Sequence, residues 1–559
     1  MDKRERILES KKFHLTGKIY IKANFELKSP LLIGSGESEH SDIDIIRDEP
    51  YGGEPQPMIP ATSIVGVFRH LFDRLFIKGQ VIKTAKPPKE IDVGDALCEF
   101  FGVTDDVSDE TLKWLWFNTK KKDGWDLNQS ALLMSDILLD EKEFPITQRD
   151  SVRIDPRTGT AAEHAKFDYE IVEPPQDAEK MPITMTFEIN LRHQLKPAYG
   201  DMFKTFIGYF LREIDEGHIR FGAKTNKGFG QLKLLPGTIE MVELCLNDPK
   251  KPDDVKRWLT NTVPLPYSNK VEPDQMDSKK LEAADLINGT TLDLNTKMFT
   301  IDADFKIKNS MLVRSYSTNP SAPDVSHIER NGKFVLPGTS IMGAVRHRAW
   351  KIINTMFKSE DNKKEKFHNL FGYVYVTPSD KIPEDEANYP PLTNKQKERK
   401  LAKGRVQIDE TIIDDGKLSI IDQVQTRIKI DRFTGGTIAG ALLQEKALWQ
   451  KDNKSVIHIK MQINDYKPWE PALFMFILKD LVTGDLPIGG EKSIGRGVLI
   501  GNEATISWTD EKAHEVKLTF EDGFVAAEDQ GKLELFSKFL TEWNNVLNKT
   551  QKVEGDKDE

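Results

Sequence analysis

The stretch Pro60–His70 reads PATSIVGVFRH, and it returns later in the chain as PGTSIMGAVRH at Pro337–His347. Seven of the eleven positions are identical. The apolar residues that follow each Thr-Ser pair have the spacing of one face of a helix. Thr62 or Ser63 is the expected N-cap, because a short hydroxyl side chain accepts a hydrogen bond from a free backbone amide of the first turn. A helix start that occurs twice suggests an internal duplication.

Three further motifs follow the helix start in the same order in both copies. They are FFG (Phe100–Gly102) with LFG (Leu370–Gly372), RIDPRTG (Arg153–Gly159) with KIDRFTG (Lys429–Gly435), and the glycine-rich basic loops GAKTNKGFG from Gly222 and GEKSIGRG from Gly490. The four pairs of motifs are 277, 270, 276 and about 267 residues apart. Four collinear pairs at a nearly constant offset predict two diverged copies of one module.

The order of elements predicts the fold class. Each copy begins with an alternating, strand-like segment such as Lys18–Leu27, and a second helix comes before each glycine loop. Strand, helix, strands, helix and strand in this order predict an α+β fold: two tandem ferredoxin-like sheets with large inserted loops. The predicted parts are a first domain at 1–245, a polar linker at 246–296, a second domain at 297–545 and a charged tail at 546–559.

Composition restricts the possible functions. The 559 residues include 79 Lys and Arg against 89 Asp and Glu, so a uniformly basic surface is excluded and any phosphate binding must depend on local clusters. Two cysteines are too few for a disulfide framework or a cysteine-rich zinc site. No apolar run has the length of a membrane span or the character of a signal peptide, so we expect a cytoplasmic protein without a membrane partner.

The glycine loops are candidate phosphate sites. Glycines let backbone amides approach an anion closely, and positive side chains beside them add attraction. These side chains are Lys224, Lys227, Lys492 and Arg496. A tight turn with solvated lysines is the alternative interpretation.

The two helix starts are a second candidate, because a helix N-terminus with a hydroxyl group attracts phosphate. Arg69 and Arg346 lie two turns further along these helices. The alternative is an ordinary helix cap with a surface arginine.

The R/K-I-D-x-x-T-G motif predicts a turn in a protruding segment. Asp155 and Asp431 are expected to organise the turn, because aspartate side chains accept hydrogen bonds from nearby backbone amides. The basic residues of the motif are candidates for contact with an RNA backbone, and they are Arg153, Arg157, Lys429 and Arg432.

An acidic loop precedes each helix start: GSGESEHSDIDIIRDEP in the first copy and STNPSAPDVSHIERNG in the second. Alignment on the isoleucine of IIRD and of HIER matches Asp42 with Asp324, Asp44 with Ser326, and Asp48 with Arg330. An aspartate beside bound RNA can accept a proton from a ribose 2′-hydroxyl or hold a divalent ion. A simple turn residue is the alternative.

Together these motifs resemble the RAMP superfamily, and more narrowly the Cas-seven-like backbone subunits of type III CRISPR–Cas effector complexes. The residues that carry the resemblance are IIRDEP, MIPATSIVGVFRH, FFG, RIDPRTGTA and KTNKGFG with their second-copy counterparts. Two such modules in one chain resemble the fused backbone subunits of subtype III-D. The second acidic loop departs from this pattern, because it is shorter and lacks the IRD sequence.

The resemblance implies a modified RNA-recognition fold that lines up along a guide RNA, with a thumb-like hairpin that wedges between bases. It implies that Asp42 and, by the internal alignment, Asp324 cut the paired target RNA with Mg²⁺ or another divalent cation. It also implies that a phosphate-gripping helix is formed by Ser63 with Arg69, and by Ser340 with Arg346.

The leading hypothesis is therefore a guide-RNA-binding subunit that is also a metal-dependent target-RNA endoribonuclease. Its partners would be the guide CRISPR RNA, the target RNA and other subunits of a type III effector complex. One alternative is a non-catalytic RNA-binding scaffold. Another is an endoribonuclease that processes guide precursors, although the eleven histidines show no convergent set for that chemistry.

Overall fold

The chain folds into two compact units. Unit 1 comprises Met1–Gln148, Tyr169–Ala223 and Gly230–Asn295, and unit 2 comprises Arg149–Asp168, Lys224–Phe229 and Thr296–Glu559. Two segments of the first repeat therefore belong to unit 2. The computed structural model describes residues 14–36, 38, 41–49, 53–77, 97, 100–101, 130–155, 158–177, 181–192, 198–260, 279–287, 297–316, 322–375, 390–413, 420–451, 456–510 and 512–555.

The helices and strands described for the first repeat are β1 (Leu15–Leu27), β2 (Arg47–Asp48), β3 (Gln56–Ile59), α1 (Ala61–Ile77), β4 (Leu132–Met134), β5 (Ile137–Leu138), β6 (Ile146–Ile154), β7 (Ala161–Val172), β8 (Ile183–Arg192), α2 (Ala198–Asp215), β9 (Leu232–Leu234), β10 (Ile239–Cys245), α3 (Pro252–Leu259), β11 (Lys279–Leu281) and α4 (Ala283–Ile287). The main sheet has the order β11-β10-β1-β8-β4, with β9 also paired to β1. Side chains alternate between the two faces of β1, so Ile19, Ile21 and Phe25 are buried together. Phe68 of α1 and Phe210 of α2 stack at 4.0 Å over this core.

The helices and strands described for the second repeat are β12 (Met298–Ile307), β13 (Ser310–Met311), β14 (Arg314–Tyr316), β15 (Val325–His327), β16 (Glu329–Arg330), β17 (Lys333–Leu336), α5 (Gly338–Met356), α6 (Glu360–Phe371), β18 (Gly372–Val374), α7 (Asn394–Arg399), β19 (Leu401–Lys403), β20 (Val406–Ile408), β21 (Thr411–Ile412), β22 (Ile420–Ile430), β23 (Thr437–Gln450), β24 (Ile457–Asn464), α8 (Glu470–Val482), β25 (Leu499–Thr509), β26 (Ala513–Glu521), β27 (Phe524–Val525) and α9 (Ser537–Gly555). Its main sheet has the order β20-β24-β12-β25-β26-β27. Ile301 of β12, Val345 of α5 and Ile477 of α8 belong to one fully buried core.

The two main sheets share one strand order. The first runs β10-β1-β8-β4 and the second runs β25-β12-β24-β20, with antiparallel neighbours in both. Along the chain, a helix comes after the first of these four strands (α1 after β1, α5 after β12) and another comes after the third (α2 after β8, α8 after β24). The prediction of a tandem α+β fold is confirmed, and the strand order is compatible with the ferredoxin-like arrangement.

The predicted linker at 246–296 contains packed elements of unit 1. Strand β11 pairs with β10, with Ile239 opposite Leu281. Leu286 of α4 is buried, and it lies so close to α2 that a Cβ on Gly208 would approach its side chain to 2.8 Å. Part of this stretch therefore belongs to the first unit instead of forming a free linker. The predicted tail likewise begins inside α9, which ends at Gly555.

Candidate functional site

The acidic loops of the two repeats make the same backbone hydrogen bonds. In the first repeat the N–H of Ile46 donates to the carbonyl of Ile33 (2.8 Å), and in the second the N–H of Ile328 donates to the carbonyl of Val313 (3.0 Å). The carbonyls of the same two isoleucines accept from the N–H groups of Met58 (3.1 Å) and Val335 (3.2 Å), respectively. Ile46 and Ile328 therefore hold equivalent places. The predicted match of Asp42 with Asp324 is confirmed, because each lies four residues before its isoleucine.

A buried aspartate holds the first acidic loop. The Oδ1 atom of Asp44 accepts hydrogen bonds from the backbone N–H and the hydroxyl of Ser41, both at 2.8 Å. Asp44 is almost fully buried, whereas the neighbouring Asp42 is exposed. Asp44 thus organises the loop, and Asp42 is the carboxylate that the loop presents to solvent.

Each acidic loop lies against the second strand of a long hairpin. In the first repeat the carbonyl of Ile43 accepts from the N–H of Glu170 in β7, at 3.0 Å. In the second repeat β15 pairs in parallel with β23, and the Oδ2 atom of Asp324 accepts from the N–H of Gln444 at 2.8 Å. Asp324 is exposed despite this bond. An exposed aspartate is therefore found beside the root of a hairpin in both repeats.

The R/K-I-D-x-x-T-G motifs form the turns of these hairpins, β6–β7 and β22–β23. The Oδ1 atom of Asp431 accepts from the N–H groups of Phe433 and Thr434 at 2.8 and 2.9 Å, and these bonds lower the pKa of Asp431. The prediction that Asp431 organises its turn is confirmed. The two turns share one backbone hydrogen bond: the N–H of Gly159 donates to the carbonyl of Asp155, and the N–H of Gly435 donates to the carbonyl of Asp431.

The basic residues of these turns differ in exposure. Lys429 and Arg432 are exposed beside Phe433, whose side chain is 100% exposed. Arg153 is half-buried, and Arg157 lies outside the described residues. Their contact with RNA stays a prediction.

The glycine loops share a backbone but not their charges. Lys224 and Glu491 both have φ of 55°, and Gly228 and Gly495 both take the left-handed conformation. This register places Lys227 at the position of Ile494 and Phe229 at the position of Arg496. The basic residues of the two loops therefore occupy different positions, and only the glycines are retained.

Arg496 has an internal role. Its side chain is 2% exposed, its Nε lies 3.0 Å from a carboxylate oxygen of Glu491, and its Nη2 donates to Gln425 at 2.8 Å. Arg427 adds a second guanidinium to Glu491 at 2.7 Å. The predicted RNA contact of Arg496 is not supported, because its guanidinium is buried in this network.

Positive charge collects along helix α5 in unit 2. Burial and the charges of Lys492, Lys351 and Arg348 lower the pKa of His347. Crowding by surrounding atoms and the charge of Arg346 lower the pKa of Lys227, although more than a third of the Lys227 side chain is exposed. The structure thus brings Lys227 of the first glycine loop near Arg346, and Lys492 of the second loop near His347, on the same helix. We call Lys227, Lys492 and Arg346 the α5 cluster; Arg348 is paired with Asp480.

The helix starts differ from the prediction. Helix α5 has Pro337 as its N-cap, and the carbonyl of Pro60 accepts from Ser63 at the start of α1. The predicted N-cap at Thr62 or Ser63 is wrong, because proline lacks an N–H and has a φ that suits a helix start. The carboxylate of Asp136 also accepts from the N–H of Ala61 at 2.6 Å, so a negative charge already occupies this end of α1.

The two arginines predicted to bind phosphate together with these helix starts are partly buried. Arg69 is half-buried. Arg346 lies over the ring of Phe367 at 5.4 Å, and burial lowers its pKa. Ser63 and Ser340 lie in the first turn of their helices, and their phosphate contacts stay predictions.

Comparison with protein families agrees with the duplicated geometry. The family model of the RAMP superfamily matches the chain twice, over residues 24–233 and 305–500. The chain belongs to the RAMP superfamily. Membership indicates a CRISPR-associated RNA-binding subunit of a multi-subunit complex. No curated protein matches the chain.

The RAMP repeats offer few protein ligands for a metal at the aspartates. Within the described ranges, the one group of three or more carboxylate, imidazole or thiol ligands is Glu213, Glu216 and His218, at the end of α2. Arg212 pairs with both of these glutamates. A cation at Asp42 or Asp324 would therefore take most of its ligands from RNA and water, which is common for Mg²⁺ beside phosphates. No described helix is long and apolar enough to span a membrane.

Proposed function

We propose that the chain is a tandem guide-RNA-binding backbone subunit of a type III CRISPR effector complex of the subtype III-D organisation, and that it cleaves the paired target RNA at Asp42 and Asp324. One observation carries this proposal: an exposed aspartate is found beside the root of a hairpin in both repeats. Two equivalent positions that keep an exposed carboxylate through divergence favour a shared chemical role.

The hairpins provide a way to present RNA to these carboxylates. A hairpin that enters between bases unstacks the strand beside it, and an unstacked nucleotide can turn its 2′-hydroxyl toward a neighbouring group. The exposed apolar side chains of Ile428, Leu442 and Phe433 on β22–β23 suit contact with base faces. The aspartate at the root then accepts the hydroxyl proton or helps to hold a divalent cation. Such a cation would stabilise the charge that develops on the phosphate.

The α5 cluster supports the RNA-binding part of the proposal. Lys227, Arg346 and Lys492 gather beside one helix of a chain whose net charge is −10. Local positive charge on an acidic protein favours phosphate contacts at this cluster, since each neutralised phosphate releases counterions.

A non-catalytic scaffold is the second candidate, and one contact favours it at the second site. The carboxylate of Asp324 accepts a backbone hydrogen bond from Gln444, which is also how an aspartate stabilises a loop. Asp324 is therefore a candidate for a purely structural role even where Asp42 is catalytic.

Co-expression with a CRISPR array tests the RNA-binding role. The chain, purified with its neighbouring subunits, should carry guide RNA of uniform length, and a mixed population of cellular RNA or none would contradict the proposal. The Lys227→Ala/Lys492→Ala variant should carry less guide RNA per protein. The matched control is Lys517→Ala, which removes an exposed lysine of β26 that pairs with Glu503.

A further inference from the structure

The first glycine loop is docked within unit 2 by close backbone contact. A Cβ on Gly338, the first residue of α5, would lie 2.2 Å from the carbonyl oxygen of Lys227. A Cβ on Gly228 would lie 2.4 Å from the backbone nitrogen of Glu410. The side chain of Asn226 also donates to the carbonyl of Gly404 at 3.3 Å. Both glycines are therefore required for this approach.

A buried ion cluster completes the docking. Arg149, near the start of the first hairpin, lies 2.5 Å from Glu410, and Arg330 lies 2.9 Å from the same carboxylate. The three side chains are 9% exposed or less. We call Arg149 with Lys224–Phe229 the docking segment, and Gly338 with Arg330 and Glu410 the docking site.

The first repeat has an altered version of the docking site. Strand β3 pairs with β5 as β17 pairs with β21, with Ile59 opposite Ile137 and Leu336 opposite Thr411. This register equates Asp136 with Glu410, and the helix starts equate Ala61 with Gly338. Asp48, which is exposed, takes the place of Arg330. Unit 1 thus has a methyl group where the docking site has none, and two acids in place of an acid and an arginine.

The second repeat has an altered version of the docking segment. Gln425 lies six residues before its turn aspartate, as Arg149 does, so no arginine stands at this position. The loop Glu491–Arg496 repeats the backbone of the first glycine loop, yet no described atom lies within 4 Å of a Cβ built on Gly495. Ile494 is 56% exposed beside it. This loop therefore has the shape of a docking segment, but its tip at Ile494 and Gly495 is not covered by described residues.

We propose that the loop Glu491–Arg496 docks on a different protein of the same superfamily, one whose corresponding helix begins with glycine, and that Ala61 and Gln425 prevent it from docking on a second copy of this chain. The Ala61 methyl group would meet the carbonyl of Ile494, as a Cβ on Gly338 would meet that of Lys227. Gln425 supplies no positive charge for Asp48 and Asp136. The choice of a superfamily partner rests on the proposed function, whereas the exclusion of a second copy follows from the contacts alone.

Sedimentation velocity of the RNA-free chain over a concentration series tests the exclusion. The wild-type chain should sediment as a monomer throughout. The Ala61→Gly/Gln425→Arg variant restores both missing features, and it should shift toward dimers and longer assemblies as concentration rises. Adding Ile494→Glu to that variant should abolish the shift, whereas Leu535→Glu, a change at another exposed aliphatic residue, should leave it intact.

Two outcomes would overturn the proposal: wild-type association that Ile494→Glu abolishes, or a folded double variant that stays monomeric. Circular dichroism establishes whether the variants are folded. Gly338→Ala gives an independent readout, because it should release the first loop and speed tryptic cleavage at Lys224 and Lys227 by tenfold or more. Unchanged cleavage would also overturn the assignment of Gly338. No step uses RNA, so failure here is distinct from failure of the proposed function.

Discussion

The guanidinium of Arg149 and the carboxylate of Glu410 lie 2.5 Å apart, although 261 residues separate them in the chain. Both belong to unit 2, and Glu410 also accepts from Arg330 at 2.9 Å. Two arginines around one carboxylate, all three nearly buried, make Glu410 the counter-charge on which this cluster depends.

Glu410→Gln should destabilise unit 2 strongly. The substitution removes the negative charge that faces two buried guanidinium groups, and breaking a buried ion pair in this way costs about 3–5 kcal/mol. Urea unfolding followed by tryptophan fluorescence would measure the loss. The matched control is Glu503→Gln, which removes an exposed carboxylate paired with Lys517 and should cost about 1 kcal/mol or less. Equal midpoints for the two variants would contradict the assignment.

Stability should also depend on the protonation of His327. Its ring is buried, Nδ1 accepts from the N–H of Val313 at 3.2 Å, and Nε2 lies 2.9 Å from the carbonyl of Val335. Burial lowers its pKa to about 4 from an ordinary value of 6.5. As the pH falls, His327 therefore takes up a proton in the unfolded chain at a higher pH than in the folded chain. The free energy of unfolding decreases progressively between pH 6.5 and pH 4 for this reason, and His327 does not lower it above pH 6.5. The largest loss is on the order of 3 kcal/mol.

His327→Ile isolates this effect, because Ile45 is the equivalent residue of the first repeat. The free energy of unfolding should be compared for wild type and variant at pH 7.5 and at pH 4.5. The difference between the two proteins should move in favour of the variant at the lower pH. His368, whose pKa is also lowered to about 4 by burial, is common to both proteins and cancels. A difference that stays constant with pH would contradict the prediction.

The α5 cluster should determine how RNA binding depends on salt. Lys227→Ala and Lys492→Ala should each weaken binding, and each should reduce the slope of log affinity against log salt by about 1, because one phosphate contact is lost. Fluorescence anisotropy with a labelled guide RNA measures both quantities. Arg496→Ala should lower the free energy of unfolding and leave this slope nearly unchanged, since the Arg496 guanidinium is buried. Slopes that match wild type in both lysine variants would exclude the cluster as the RNA site.

Asp44 should act as a positioning residue for Asp42. Asp44→Ala removes the acceptor for both bonds from Ser41 and should reduce cleavage at the first site, whereas Asp44→Asn keeps an acceptor and should restore most of it. Cleavage by the assembled complex is the readout. Asp48→Ala, a change at an exposed position, should leave the rate unchanged. Equal loss in the alanine and asparagine variants of Asp44 would point to a direct role for its charge.

The sequence predicted the duplication, the α+β class and the match of Asp42 with Asp324, because each leaves a local and repeated pattern. The turn role of Asp431 was also predictable, since its partners are two and three residues away. The docking of Arg149 on Glu410 was not predictable, because no local pattern reports a contact between distant segments. The burial of Arg496 was not predictable either, because its partners Gln425 and Glu491 are brought to it by the fold and leave no local pattern in the sequence.

Cleavage of a labelled target RNA by the assembled complex with Mg²⁺ decides whether Asp42 and Asp324 are catalytic. The wild-type complex should make two cuts one module-length apart. Asp42→Asn should remove one cut and Asp324→Asn the other, each with guide binding intact, and a chelator should stop both. The two changes should act independently, because separate sites share no reacting atom. Loss of only the Asp42-dependent cut would give Asp324 the structural role that its bond to Gln444 allows. An unchanged cut pattern in the double variant would contradict the account and leave the chain a scaffold.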